Sequence, residues 1–72
     1  MDIKRRFGLA VRARRAALGI SQEELALRID ADQAYVSRVE AGAMNVTLET
    51  AQQVAEALES DVAALFAGAP ES

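Results

Sequence analysis

The sequence predicts an all-α fold, one compact five-helix domain over residues 1–72. Three observations predict it. Apolar residues recur at helical rather than strand spacing: Ile3, Phe7, Val11 and Leu18, with Ala10 filling in, are four and seven apart and draw one stripe. Helix punctuation recurs as well, Ser21 standing three residues before Glu24 and Gly19 and Gly42 closing apolar runs. Finally, 72 residues without cysteine allow one small core, held by neither disulfide nor thiolate metal site. Much of the 51% hydrophobic content is alanine, which packs closely but buries little area, so modest stability and support from a second subunit are expected.

The first helix is expected over residues 3–18, with Gly19 as its stop. Gly8 costs about 1 kcal/mol against alanine inside it. It marks either a close packing point or the true start of the helix. Ile20 precedes the next helix as a candidate hydrophobic staple. Ser21 and Glu24 form an S-x-x-E capping box for a helix over 22–29, whose Leu25, Ala26 and Ile29 share a face. Asp30-Ala31-Asp32 breaks this pattern, and Asp32 can cap a helix over 33–41 with Val36 and Val39 inward. After a loop from Ala41 to Val46, Thr47 caps a fourth helix with Leu48, Ala51, Val54, Ala55 and Leu58 on one face. Ser60 is expected to cap a short fifth helix carrying Val62, Leu65 and Phe66, and residues 68–72 read as a frayed tail.

Residues 21–42 thus read as two short helices joined by a tight turn, the pattern of a DNA-reading helix-turn-helix. The outward face of the second of them carries Gln33, Ala34, Ser37 and Arg38, with Tyr35 on the flank. Most outward helical faces are merely solvated. Here the mixture suits the major groove, where glutamine can pair with adenine, arginine with guanine and a methyl group with thymine. The net charge of −3 argues mildly against a nucleic acid, but the distribution does not. Residues 1–38 hold all eight basic residues against five acids, a balance of +3, and residues 39–72 hold six acids and no base. Only the local field matters to a phosphate backbone.

The run Arg12-x-x-Arg15-x-x-x-Gly19-Ile20-Ser21-Gln22-Glu23-Glu24-Leu25-Ala26, followed by Tyr35-Val36-Ser37-x-Val39-Glu40-x-Gly42, resembles the Cro/repressor-type (XRE-family) helix-turn-helix. The likeness continues through Leu48-Glu49-Thr50 and Val54-Ala55-x-Ala57-Leu58 to Leu65-Phe66, about residues 7–66. The stretch from Asp32 to Leu48 looks most like the small controller proteins of restriction–modification systems, which are stand-alone single-domain dimers. The resemblance implies a lambda-repressor-like DNA-binding fold in which Gln33, Ala34, Ser37 and Arg38 face base edges. It implies that Gln22, at a helix N-terminus, binds phosphate, and that Tyr35 and Asn45 contact phosphate or sugar. Arg15 and Glu40 match a family ion pair that orients the reading helix. Arg12, Arg14 and Arg28 remain candidate phosphate contacts. The sequence departs from the family pattern at Asp30 and Glu59, which replace turn glycines, at Val46, which replaces a common proline, and at Ala41 and Met44, where relatives are often basic. Weaker, more dimer-dependent DNA binding is expected in consequence.

The mechanism implied is a homodimer joined through Val62, Leu65 and Phe66 of the last helices. Each subunit inserts one reading helix into successive major grooves of a pseudo-palindromic double-stranded operator, half-sites lying about one turn (~10 bp) apart. With no sensor domain evident, control falls to protein concentration, which suggests autoregulation. Neither histidine nor cysteine is present to act as base or nucleophile, so an enzyme is disfavoured. No cofactor, metal or small-molecule ligand is implied. Lys4-Arg5-Arg6 before an apolar run looks like the start of a signal peptide, but Arg12 ends that run too early; a cytoplasmic protein without membrane association is expected. The rival reading is a protein-interaction module, an antitoxin or anti-repressor of the same fold whose acidic C-terminal half docks a basic partner.

Overall fold

The computed structural model describes residues 2–70. The helices are α1 (Ile3–Leu18), α2 (Gln22–Arg28), α3 (Gln33–Glu40), α4 (Leu48–Ala57) and α5 (Val62–Ala67), each within a residue or so of its expected span. Residues 71 and 72 of the expected tail lie outside the described residues.

One local grammar starts every helix. Asp2, Ser21, Asp32, Thr47 and Asp61 hold extended backbone, and the side-chain oxygen of each accepts a bond from the N–H three residues on. Two expectations need correction here. The fifth helix is capped by Asp61, whose Oδ1 accepts from the Ala64 N–H at 2.8 Å, and not by Ser60. Ser60 instead completes the end of α4, its N–H donating to the Ala55 carbonyl at 2.9 Å, which places Asp61 at the start of the next helix. The capping box at Ser21 is only half formed: the Ser21 hydroxyl accepts from Glu24 N–H, but the Glu24 carboxylate pairs with Arg28 one turn on, at 3.2 Å.

One grammar also ends the first four helices. Two successive N–H groups at each helix end turn back onto carbonyls of the last turn: those of the C-cap Gly19 and of Ile20, and, just past the C-caps Ile29, Ala41 and Leu58, those of Asp30 and Ala31, Gly42 and Ala43, and Glu59 and Ser60. The first residue of each pair is left-handed, with φ of 71°, 56°, 73° and 58°. Asp30 and Glu59, which depart from the family's glycines, therefore keep the glycine conformation. For a residue with a Cβ that conformation costs about 1–2 kcal/mol, while glycine gives back about 0.4–1 through the freer unfolded chain. Glu59→Gly is accordingly expected to stabilise the domain by about 0.5–1 kcal/mol, raising Tm by about 2–6 °C. A thermal melt with unchanged or lowered Tm would show that the left-handed turn carries no strain.

The core is drawn from all five helices: Phe7, Ala10 and Val11, then Leu25, Ala26 and Ile29, Val36 and Val39, Ala51, Val54, Ala55 and Leu58, and Leu65. Val11, Leu25, Val36, Val54 and Leu58 are fully enclosed, and each large one contributes about 1.5–3 kcal/mol by leaving water. Two residues expected on apolar faces stand outside it, Ile3 at 62% and Leu48 at 84% exposure. Each is the first residue of its helix, where the turn projects past the neighbouring helices.

Gly8 is buried in mid-helix, so the close-packing explanation holds for it. A Cβ built there would run into the Val39 carbonyl oxygen and lie 2.6 Å from that of Glu40. The axis of α1 thus rests directly on the last turn of α3. This contact fixes the height of α3 above the rest of the domain.

Candidate nucleic-acid interface

Gln33, Ala34, Ser37 and Arg38 are all exposed, and helical spacing puts them on the side of α3 opposite the buried Val36 and Val39. Tyr35 is half-buried and packs against the core, and Asn45 is exposed in the loop that follows. Arg12 of α1 and Gln22 of α2 share a shallow groove with Ser37, Glu40 and Ala41, which brings side chains from three helices to one face.

Beneath this face lies a polar network. Arg15 donates to both oxygens of Glu40, Nε to Oε2 at 2.6 Å and Nη2 to Oε1 at 3.1 Å, and its Nη1 donates to the Ile20 carbonyl at 2.9 Å. The Glu40 side chain is 5% exposed and that of Arg15 17%. The hydrogen bonds to Glu40 raise the Arg15 pKa above its ordinary value, against a smaller opposing effect of burial, so the guanidinium stays charged. Gln22 Nε2 also donates to Glu40 Oε1, at 3.0 Å, and Gln22 Oε1 accepts from Gln33 Nε2 at 3.3 Å. A continuous chain therefore runs from α1 through the end of α3 and the start of α2 to the first residue of α3. It ties the Gln22 amide on both sides, its NH2 to Glu40 and its carbonyl to Gln33. No buried side-chain nitrogen or oxygen among the described residues lacks a partner, the condition under which a buried polar network rigidifies instead of weakening.

Two arginines expected at phosphates are engaged elsewhere. Arg14 donates from Nε to the Leu58 carbonyl at 2.9 Å and from Nη2 to the Glu59 carbonyl at 3.2 Å. Arg28 donates to the Ala57 carbonyl at 3.0 Å and pairs with Glu24. Together they cap the C-terminus of α4, where free carbonyls and the negative end of the helix dipole attract cations. Sequence reading missed this because a backbone carbonyl carries no residue signature.

Near α5, Val62 and Phe66 are half-buried and border a groove of about 170 Å³ that also includes Ile3, Leu48 and Ala51. The Phe66 ring lies 6.0 Å from that of Phe7, with the Arg6 guanidinium 5.5 Å above it. Leu65, expected at a subunit interface, is 2% exposed and belongs to its own protomer's core. The helical phase of α5 turns Leu65 inward and leaves Val62 and Phe66 at the rim. No helix among the described residues is long and apolar enough to cross a membrane.

Residues 11–65 match the family model described as helix-turn-helix. Over 66 residues the chain is 36% identical to the control protein C.MunI of a Mycoplasma species, covering 90% of this chain and 89% of that one. The restriction–modification controller protein C.AhdI of Aeromonas hydrophila superposes with a TM-score of 0.80 at 40% identity, over 86% of this chain and 90% of the other. The clp gene regulator ClgR of Corynebacterium glutamicum gives 0.90 at 29% identity, over 94% and 87% of the two chains. The motif, the order of the five helices and these likenesses agree: the chain belongs to the helix-turn-helix family, and within it resembles the control proteins of restriction–modification systems.

Proposed function

We propose that the protein is a sequence-specific transcriptional regulator of the restriction–modification controller kind, binding double-stranded operator DNA as a homodimer and controlling its own expression. The observation that carries the reading is the exposed face of α3, whose base-reading side chains stand above a fully satisfied network. Gln33 illustrates the chemistry. Its amide has two N–H donors and one carbonyl, and one donor is bonded to Gln22. The remaining N–H and carbonyl are the donor and acceptor that adenine's N7 and N6 amino group require. Arg38, which forms no ion pair among the described residues, is free to take a guanine. Ser37 and Ala34 complete the face, and Tyr35, Asn45, Gln22 and Arg12 hold the backbone in register. Dimerisation is supported by the apolar rim of Ile3, Leu48, Val62 and Phe66, which a second copy would cover; Ile3 and Leu48 are far more exposed than large apolar residues usually are. Dimerisation coupled to paired half-sites makes occupancy steeply dependent on protein concentration.

Selection of bound duplexes from a random pool, repeated with Arg38→Ala, tests the reading. The wild-type protein is expected to enrich sequences with dyad symmetry, the mark of a two-fold dimer. Arg38→Ala should relax preference at one position per half-site and cost about 1–3 kcal/mol there. Enrichment without symmetry would overturn the dimer, and a loss uniform across sequences would make Arg38 a phosphate contact.

A further inference from the structure

Residues 41–46, which leave α3 on the side proposed to face DNA, carry no charge. The structure brings the start of α1 against this neutral loop. Gly42 packs directly on the Arg5 backbone: a Cβ built on Gly42 would fall 2.9 Å from Arg5 Cα and 3.2 Å from Arg5 Cβ. Lys4, half-buried, stands beside Asn45, Val46 and Thr47 at the edge of the groove whose apolar residues, Ile3, Leu48, Val62 and Phe66, a second copy would cover. Neither Lys4 nor Arg5 forms an ion pair among the described residues, and the Arg5 side chain is exposed. About two turns along α1, Arg12 shares a groove with Ser37 and Ala41, so Arg5 and Arg12, seven apart, border α3 and its loop from one stripe of α1. The neighbouring carboxylate, Asp2, is occupied in capping α1, where it accepts from the Arg5 N–H at 2.9 Å.

We infer that Lys4 and Arg5 are DNA-phosphate contacts that supply, from α1, the positive charge the loop after α3 lacks. This rests on the reading of α3 as the DNA-facing helix and adds a backbone-binding site at its far end. The anchor is displaced in sequence by nearly forty positions and is restored in space by the Gly42–Arg5 contact. Arg6, adjacent in sequence, is turned to Phe66 instead and takes no part. The triplet Lys4-Arg5-Arg6 is thereby divided, two charges to the nucleic acid and one to α5.

The test is the salt dependence of binding, because each phosphate neutralised contributes about 0.9 to the slope of log K against log salt. Titrations use the operator duplex selected above and wild type, Lys4→Ala, Arg5→Ala, the double variant and Arg6→Ala, with circular dichroism melts to confirm folding. Because a dimer carries two copies of each side chain, Lys4→Ala and Arg5→Ala are each expected to flatten the slope by about 1.8, and the double variant by about 3.6. Arg6→Ala, which removes the same net charge, should leave it unchanged. Equal slopes for wild type and both single variants, or equal flattening by all three including Arg6→Ala, would overturn the inference while leaving the base-reading role of α3 standing. Absence of binding by the wild type to any duplex would overturn both.

Discussion

Glu40→Ala is expected to destabilise the domain by about 3 kcal/mol and to lower Tm by on the order of 15 °C. The change leaves the Arg15 guanidinium mostly enclosed without its carboxylate, and removing one member of a buried pair typically costs about 3–5 kcal/mol. The lower end applies because Arg15 remains 17% exposed and keeps the Ile20 carbonyl at 2.9 Å. The pair's contribution is more to orientation than to stability, and a second variant separates the two. Replacing both members by apolar residues, Arg15→Met with Glu40→Leu, removes the stranded charge and should recover most of the lost stability. It does not recover the acceptor to which Gln22 donates, so Gln22 and through it Gln33 lose their fixed orientation. The double variant should therefore melt near the wild type yet discriminate poorly at the base pair read by Gln33. Chemical denaturation with binding to the selected operator and to a point variant of it reads both effects. If the double variant kept full discrimination, the network would be structural only.

Much of this architecture is legible in the sequence because helix ends are local chemistry. Ser21, Asp32 and Thr47 cap as read, and the four left-handed residues include the two glycines that announced their turns. Asp30 and Glu59 were visible only as departures from a pattern, since neither residue type demands a positive φ. What stayed hidden depends on three-dimensional phase. Periodicity puts Ile3 and Leu48 on apolar faces but does not say where the core ends, and both protrude. It groups Leu65 with Val62 and Phe66, although a rotation of 100° per residue sends Leu65 inward and the others to the rim. Arg14 and Arg28 are candidate phosphate contacts in the sequence, whereas in the fold their bonds go to carbonyls up to 45 residues away. The Arg15–Glu40 pair was legible through family resemblance alone. Its extension to Gln22 and Gln33 follows only from the packing of α2 across the ends of α3.

Gly8→Ala is the substitution in which local propensity and tertiary packing disagree most sharply. In an isolated helix alanine would gain about 1 kcal/mol over glycine. Here its methyl group would meet two backbone oxygens of α3, that of Val39 and, at 2.6 Å, that of Glu40. Carbonyl oxygens in a capped helix end cannot swing aside as a side chain can, so α1 and α3 must separate. Overpacking of this kind costs about 1–3 kcal/mol even where side chains can adjust, and a rigid backbone favours the upper end. The net expectation is destabilisation by about 2 kcal/mol, a large part of the roughly 4–11 kcal/mol that a domain of this length holds. The displacement also acts on the proposed function. Glu40 sits on the turn that would move, so the 2.6 Å bond from Arg15 lengthens and the reading face loses its reference to α1. Gly8→Ala should thus weaken operator binding beyond the loss of folded protein, measured at a temperature where the variant remains folded. A variant equal to or more stable than wild type in a denaturant titration would mean that α1 and α3 can part freely. The height of the reading helix would then be set by α2 and the loop at Gly42 alone.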